Sequence, residues 1–203
     1  MAERIYLYPI WIRLWHAVNA LLCIVLILSG LNMQYAGMGF VIMRFDFAVD
    51  LHNWAGVILS ISYVWFFVSN IYTKNYRYYK IQFKGWLKSI LKQSRYYSYG
   101  MFKKEKSPYP VNIDRKFNPL QQISYVIILY VVLPIIFISG WLLLFPEIFD
   151  KYQIGVNGLH ITDLFHVISA FIVSIFMFVH IYLCTIKTNG SNSFKGMLTG
   201  WHE

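Results

Sequence analysis

Four of the six histidines in this 203-residue chain stand inside long apolar runs: His16, His52, His166 and His180. An ionisable group within a span is costly and marks a functional site by default, and a neutral imidazole nitrogen is a common metal ligand. His166 and His180 are fourteen residues apart on one run. On a helix that spacing brings both rings to within about 40° of one face, separated by roughly 21 Å along the axis. The residues between them on that face, Ala170, Val173 and Met177, are apolar, as the wall beside a flat hydrophobic cofactor would be. Two imidazoles stacked in register at opposite depths therefore point to two haems.

Depth along the helices selects the partners. His16 lies about 9 Å into the first run and His180 about 9 Å from the end of the last, so both sit near one membrane face. His52 and His166 each open a run that starts at the other face. The consistent arrangement is His16 with His180 on one iron and His52 with His166 on a second. His160 lies about 160° around the helix from His180 and should face away. Gly30 is fourteen residues from His16 and reaches the depth of the second site, where it leaves room for a porphyrin edge or for another helix. Gly56, one turn after His52, leaves similar space. Arg13, one turn before His16, suits a haem propionate or an ordinary basic flank.

The elements that must position these residues are membrane helices. The chain is 58% hydrophobic and 13% charged, and four stretches, Leu14 to Met43, Leu51 to Thr73, Phe117 to Pro146 and Leu164 to Ile186, hold no Asp, Glu, Lys or Arg. Each is long enough to cross a bilayer. The expected fold is one all-α, polytopic four-helix membrane domain over 1–203, with spans at about 11–35, 51–73, 118–145 and 160–187. Net charge is +9, which could suggest nucleic acid, but its placement argues for a membrane. Twelve of the 18 Lys and Arg lie between Lys74 and Lys116, whereas the two other connections hold two basic residues against five acidic ones. The positive-inside rule then puts the middle loop and both termini in the cytoplasm, and no nucleic-acid partner is expected. Cys23 and Cys184 lie inside spans, with no C-x-x-C-H for covalent haem. The first apolar run is too long for a cleaved signal.

Between spans two and three, Ile81 to Tyr97 has lysines along one arc and Phe83, Trp86, Leu87 and Ile90 along another. That pattern predicts an amphipathic helix on the cytoplasmic surface, facing lipid or docking a partner. Asn118-Pro119 is expected to cap and start span three. Pro134 should kink it, and its Ser139-Gly140 echoes Ser29-Gly30 of span one. Bis-imidazole ligation leaves no open coordination site and favours electron transfer over substrate activation.

The segments Pro9-Ile10-Trp11-Ile12-Arg13-Leu14-Trp15-His16, Leu51-His52-Asn53-Trp54-Ala55-Gly56, Asn118-Pro119-Leu120-Gln121-Gln122 and His166 to His180, with the tail Gly196 to Glu203, resemble the di-haem cytochrome b subunits that anchor periplasmic respiratory enzymes. These are the anchors of NiFe hydrogenases, formate dehydrogenase-N and thiosulfate reductase. The resemblance implies two haem b groups and electron exchange between a quinone, menaquinone or ubiquinone, and a periplasmic iron–sulfur or multihaem cytochrome c subunit. It also implies a bacterial inner-membrane location and, as a further expectation, a homo-oligomeric complex. Asn118 matches the position that contacts quinone in the formate enzyme, although N-capping alone explains the residue type. Gln122 stands where that enzyme has lysine, which leaves proton delivery open. Two other readings compete: a free-standing transmembrane ferric reductase, and a haem-free anchor or transporter.

Overall fold

The computed structural model describes residues 5–151, 155–186 and 190–202. In chain order the elements are strand β1 (Ile5–Tyr6) and helices α1 (Ile10–Tyr35), α2 (Phe45–Tyr72), α3 (Trp86–Arg95), α4 (Pro119–Ile127), α5 (Leu133–Leu144), α6 (Glu147–Lys151), α7 (Gly155–Ile186) and α8 (Gly190–Thr199), then strand β2 (Trp201–His202). Four helical segments are long and apolar enough to cross a membrane: Ile10–Met38, Phe45–Tyr72, Pro119–Leu144 and Val156–Thr185. The chain is thus an all-α polytopic membrane protein, as expected.

The element bounds differ from expectation in three places. α2 begins at Phe45 rather than 51 and α7 at Gly155 rather than 160. Charged and polar residues there read as loop in the sequence, but Asp46 and Asp50 are favourable in the first turns of α2, where the macrodipole welcomes anions. Polarity there marks the membrane edge, not the helix end. The amphipathic helix is shorter than 81–97: Gly85 takes φ 74° and stops it at Trp86, while at its other end Tyr96–Gly100 continue as a π-helical turn. Span three is interrupted by a second π-helical turn, Ile128–Val132, just before Pro134. The proline has no N–H and its ring would strike the carbonyl four residues back, so one widened turn relieves the clash.

The chain divides into two compact units. The second consists of Leu14–Phe67 and Val131–Phe176 and so contains part of every span. Polar contacts join its helices, as expected where lipid removes the hydrophobic drive for helix association. Asn19 donates to the Ser62 hydroxyl at 2.9 Å and Trp15 to the Ser62 carbonyl at 3.2 Å. Trp141 donates to the Ser60 hydroxyl at 3.2 Å. Trp15 also stacks at 4.1 Å on Phe66, which is fully buried. On α1, Leu14, Val18, Leu21, Ile24, Leu28 and Leu31 stay exposed at three- and four-residue intervals, forming a continuous lipid-facing stripe.

The first unit consists of Met1–Arg13, Val68–Tyr130 and Met177–Glu203. Here β1 and β2 pair antiparallel, Ile5 opposite His202 and Tyr6 opposite Trp201. The two ends of the described chain therefore meet, as an even number of spans requires. Gly200 makes the join: its carbonyl accepts from the Leu7 and Tyr8 amides, and at φ 89° a Cβ would lie 2.8 Å from the Tyr8 carbonyl oxygen. In the same unit α3 packs on α4.

Candidate cofactor site

His52 of α2 and His166 of α7 face each other in the second unit, ring centroids 6.2 Å apart and planes at 68°. The Nδ1 atom of His52 lies 3.0 Å from the Ser29 hydroxyl, and that of His166 lies 3.1 Å from the Ser139 hydroxyl. Each serine spends its own hydrogen on its helix, Ser29 on the Val25 carbonyl and Ser139 on the Ile135 carbonyl, both at 2.7 Å. The serine oxygens must therefore accept, and the proton must sit on Nδ1. Both imidazoles are thus held as the tautomer whose Nε2 lone pair is free to bind a metal.

Glycines admit the rings. A Cβ on Gly30 would lie 3.3 Å from His52 Cε1, and one on Gly140 would lie 3.0 Å from His166 Cε1. The neighbour of Gly30 in the structure is thus an imidazole. A Cβ on Gly56 would meet only Leu26, at 4.0 Å.

This donor set fits a haem. Two imidazole nitrogens about 2 Å from one ion, with roughly 1 Å more to each ring centre, place the centroids about 6 Å apart, close to the spacing found. Coaxial rings can turn independently, so a 68° angle between them is compatible. Among the described residues no group of three or more His, Cys, Asp or Glu could hold an ion. A bare metal would lack ligands, whereas a porphyrin brings four.

The remaining predicted residues are placed as follows. His16, on α1, is half-buried in the second unit. His180 belongs to the first unit, where Tyr125 approaches its Nδ1 at 3.4 Å and the two rings stand at 68°. On α7 the stripe His166, Ala170, Val173, Met177 and His180 is half-buried while Phe171, Ile172, Ile175 and Phe178 are exposed. His160 is exposed. The Arg13 guanidinium donates to the backbone carbonyls of Met197 and Leu198. Asn118 is buried and forms a full capping box: its side chain accepts from the Gln121 amide at 2.9 Å, and the Gln121 side chain accepts from the Asn118 amide at 3.2 Å. The Asn118 amide nitrogen also donates to the Tyr97 hydroxyl at 2.6 Å. Burial pushes the Tyr97 phenol above its ordinary range, so it stays protonated near neutrality. Gln122 donates to the Tyr78 and Lys80 carbonyls at 2.8 and 3.2 Å.

Sequence reasoning missed Ser29, Ser139 and Tyr125. The signal for the serines was present in the repeated Ser-Gly pair of spans one and three. What was lacking was the knowledge that each pair abuts a histidine on another helix.

Residues 7–200 match the family model of the prokaryotic cytochrome b561 proteins. The chain is 37% identical over 201 residues to the "Putative cytochrome YdhU" of Escherichia coli (strain K12), covering 99% of this chain and 76% of that protein. No solved structure matches. With four spans and histidines presented inside them, the chain belongs to the prokaryotic cytochrome b561 family: it is a multi-pass membrane cytochrome that binds haem b and serves electron transport.

Proposed function

We propose that the chain is the di-haem b subunit of a respiratory complex, exchanging electrons between a quinone and a redox subunit on the far side of the membrane. The observation that carries this reading is the His52–His166 pair, 6.2 Å apart with both Nδ1 atoms held by serine oxygens. Haem b bound there would supply a one-electron iron couple closed to added ligands. Ser29 and Ser139 orient the rings and keep their proton on Nδ1. Gly30 and Gly140 let the rings approach α1 and α5, and the open space at Gly56 suits a porphyrin edge. His16 and His180 are the second ligand pair, with Tyr125 positioning His180.

Quinone would bind beside Asn118 and Tyr97, near the ends of α3 and α4. Tyr97 can donate its phenolic hydrogen to a quinone oxygen, and Asn118 fixes that hydroxyl. Arg13, engaged with α8 carbonyls, braces the first span next to His16 and stays within the reading as a propionate contact. The basic segment 74–116 and both termini lie in the cytoplasm by the positive-inside rule, in the bacterial inner membrane. The partner on the periplasmic side is an iron–sulfur or multihaem cytochrome subunit, and the complex is expected to associate with copies of itself.

The test is haem content with reduced-minus-oxidised spectra of the purified full chain. Two low-spin b haems per chain are expected, with His52→Ala and His166→Ala each losing the same one and His16→Ala and His180→Ala each losing the other. Retention of both haems in His52→Ala would sink the pairing.

A further inference from the structure

The first unit holds a second site, at the membrane edge where α1 begins and α2 ends. A cleft of about 300 Å³ is lined by Leu7, Pro9 and Trp11 together with Thr73, Arg77 and Lys116. Its apolar residues Leu7, Pro9 and Trp11 lead into and open span one and Ile113 comes from the loop, whereas its charged ones, Arg77 and Lys116, lie in the loop that follows span two, so the lining suits an amphiphile.

The polar wall is cationic. Lys116 is only 7% exposed. Its ammonium donates to Asn75 Oδ1 at 3.0 Å and lies 4.3 Å from the centre of the Tyr78 ring. Asn75 is itself buried and aimed, because its amide nitrogen donates to Asn70 Oδ1 at 2.8 Å. Arg77 is exposed, donates to the Tyr78 hydroxyl at 2.7 Å and stands over the same ring. The two cations repel each other, and burial together with the Arg77 charge holds Lys116 down at about 8. Asp114 is the acidic neighbour of Arg77, yet among the described residues no ion pair joins it to either cation, and no described carboxylate lines the cleft. A buried ammonium beside a like charge, with only a neutral amide and a ring for company, is costly. An anion bound between the two would offset that cost, and basic pockets beside membrane helices are suited to lipid phosphates.

We propose that this cleft binds the headgroup of an anionic phospholipid, its phosphate held by Arg77 and Lys116 and its upper acyl chain against Leu7, Pro9 and Trp11. The chemistry recognised is a phosphate ester. A lipid is favoured over soluble phosphate because the cationic residues share the cleft with the apolar Leu7, Pro9, Trp11 and Ile113, beside the head of a span.

The proposal is tested on the delipidated full chain in neutral detergent, following its thermal unfolding midpoint against added phosphatidylglycerol, phosphatidylcholine or inorganic phosphate. Phosphatidylglycerol should raise the midpoint at concentrations where the other two do not. Arg77→Gln, on the surface, should raise the half-saturating lipid concentration about fivefold, as expected for one cation near a lipid surface. Lys116→Gln should do at least as much, and if it does not fold Arg77→Gln decides alone. Lys84→Gln, outside the cleft, should behave as wild type. Unchanged half-saturation in Arg77→Gln, an equal response to phosphatidylcholine, or an equal weakening by Lys84→Gln would overturn the site. An equal response to inorganic phosphate would overturn the lipid as its occupant.

Discussion

At the scale of single residues, His52 and His166 rest against serine and glycine neighbours that carry no charge. Space is the first requirement. Ala at 140 places a methyl 3.0 Å from the His166 ring, tighter than nearly all real contacts, so the ring must give by a few tenths of an ångström, whereas Ala at 30 has a milder 3.3 Å to His52. Gly140→Ala is therefore expected to lose more haem than Gly30→Ala, read from the difference spectrum per milligram of protein. Gly56→Ala meets only Leu26 at 4.0 Å, so loss of haem in that variant would report contact with the macrocycle itself. Charge gives a second prediction, at Lys116. The groups facing it are Arg77, Asn75 and the Tyr78 ring, with Asp114 beyond Arg77. Its ammonium is lowered from 10.5 to about 8 in the folded chain. Below about pH 8 the group is charged in both folded and unfolded chain, and the cost of burying it is carried in full. Between that point and 10.5 the unfolded chain binds more protons, so this group's contribution to stability improves as pH rises. The thermal midpoint of wild type minus that of Lys116→Gln should accordingly increase from neutral to alkaline pH, and a flat difference would contradict the assignment.

At the scale of elements, helix ends and interruptions carry much of the specificity. Asn118 does two separable jobs: its oxygen caps α4 and its amide nitrogen holds Tyr97. Asn118→Ala should cost about 1 kcal/mol through the lost cap and should also disturb Tyr97. Asn118→Ser keeps a capping oxygen and removes the amide donor. If Asn118 serves quinone chemistry, Asn118→Ser should retain its haem and the wild-type thermal midpoint yet oxidise a quinol analogue several-fold more slowly. Full turnover in that variant would reduce Asn118 to a cap. α3 shows a related division, with Gln93 buried against the protein while Trp86, Leu87 and Leu91 remain exposed. Those apolar side chains, beside the Lys88 and Lys92 of the same helix, suit a helix lying in the headgroup layer.

At the scale of the whole molecule, the chain is a membrane cytochrome whose described ends are joined by β1 and β2. Reporter fusions should place residues beyond 202 and the 74–116 loop on one side of the membrane and the 39–44 turn on the other. The proposed orientation puts the first two in the cytoplasm, so an alkaline phosphatase fusion in the loop should be inactive. An active fusion there would overturn the proposed orientation. The relative from Escherichia coli is the longer protein, of which this chain covers 76%.

The order of apolar runs and the exclusion of charge from them made the four spans legible from the sequence, because a bilayer demands about 20 uncharged residues from any helix that crosses it. The same logic marked the histidines, since an imidazole in lipid needs a reason. Periodicity, however, says which residues share a face and not which face meets which. That Ser29 bonds His52 and Ser139 bonds His166, that Gly30 and Gly140 admit those rings, and that Lys116 lies buried beside Arg77 are contacts between segments distant in the chain. Only the packing of helices against one another decided them. A repeated Ser-Gly pair cannot announce its partner, because in a uniformly apolar solvent every rotation of a helix buries much the same surface, and the choice falls to a few polar contacts that exist only once the helices have met.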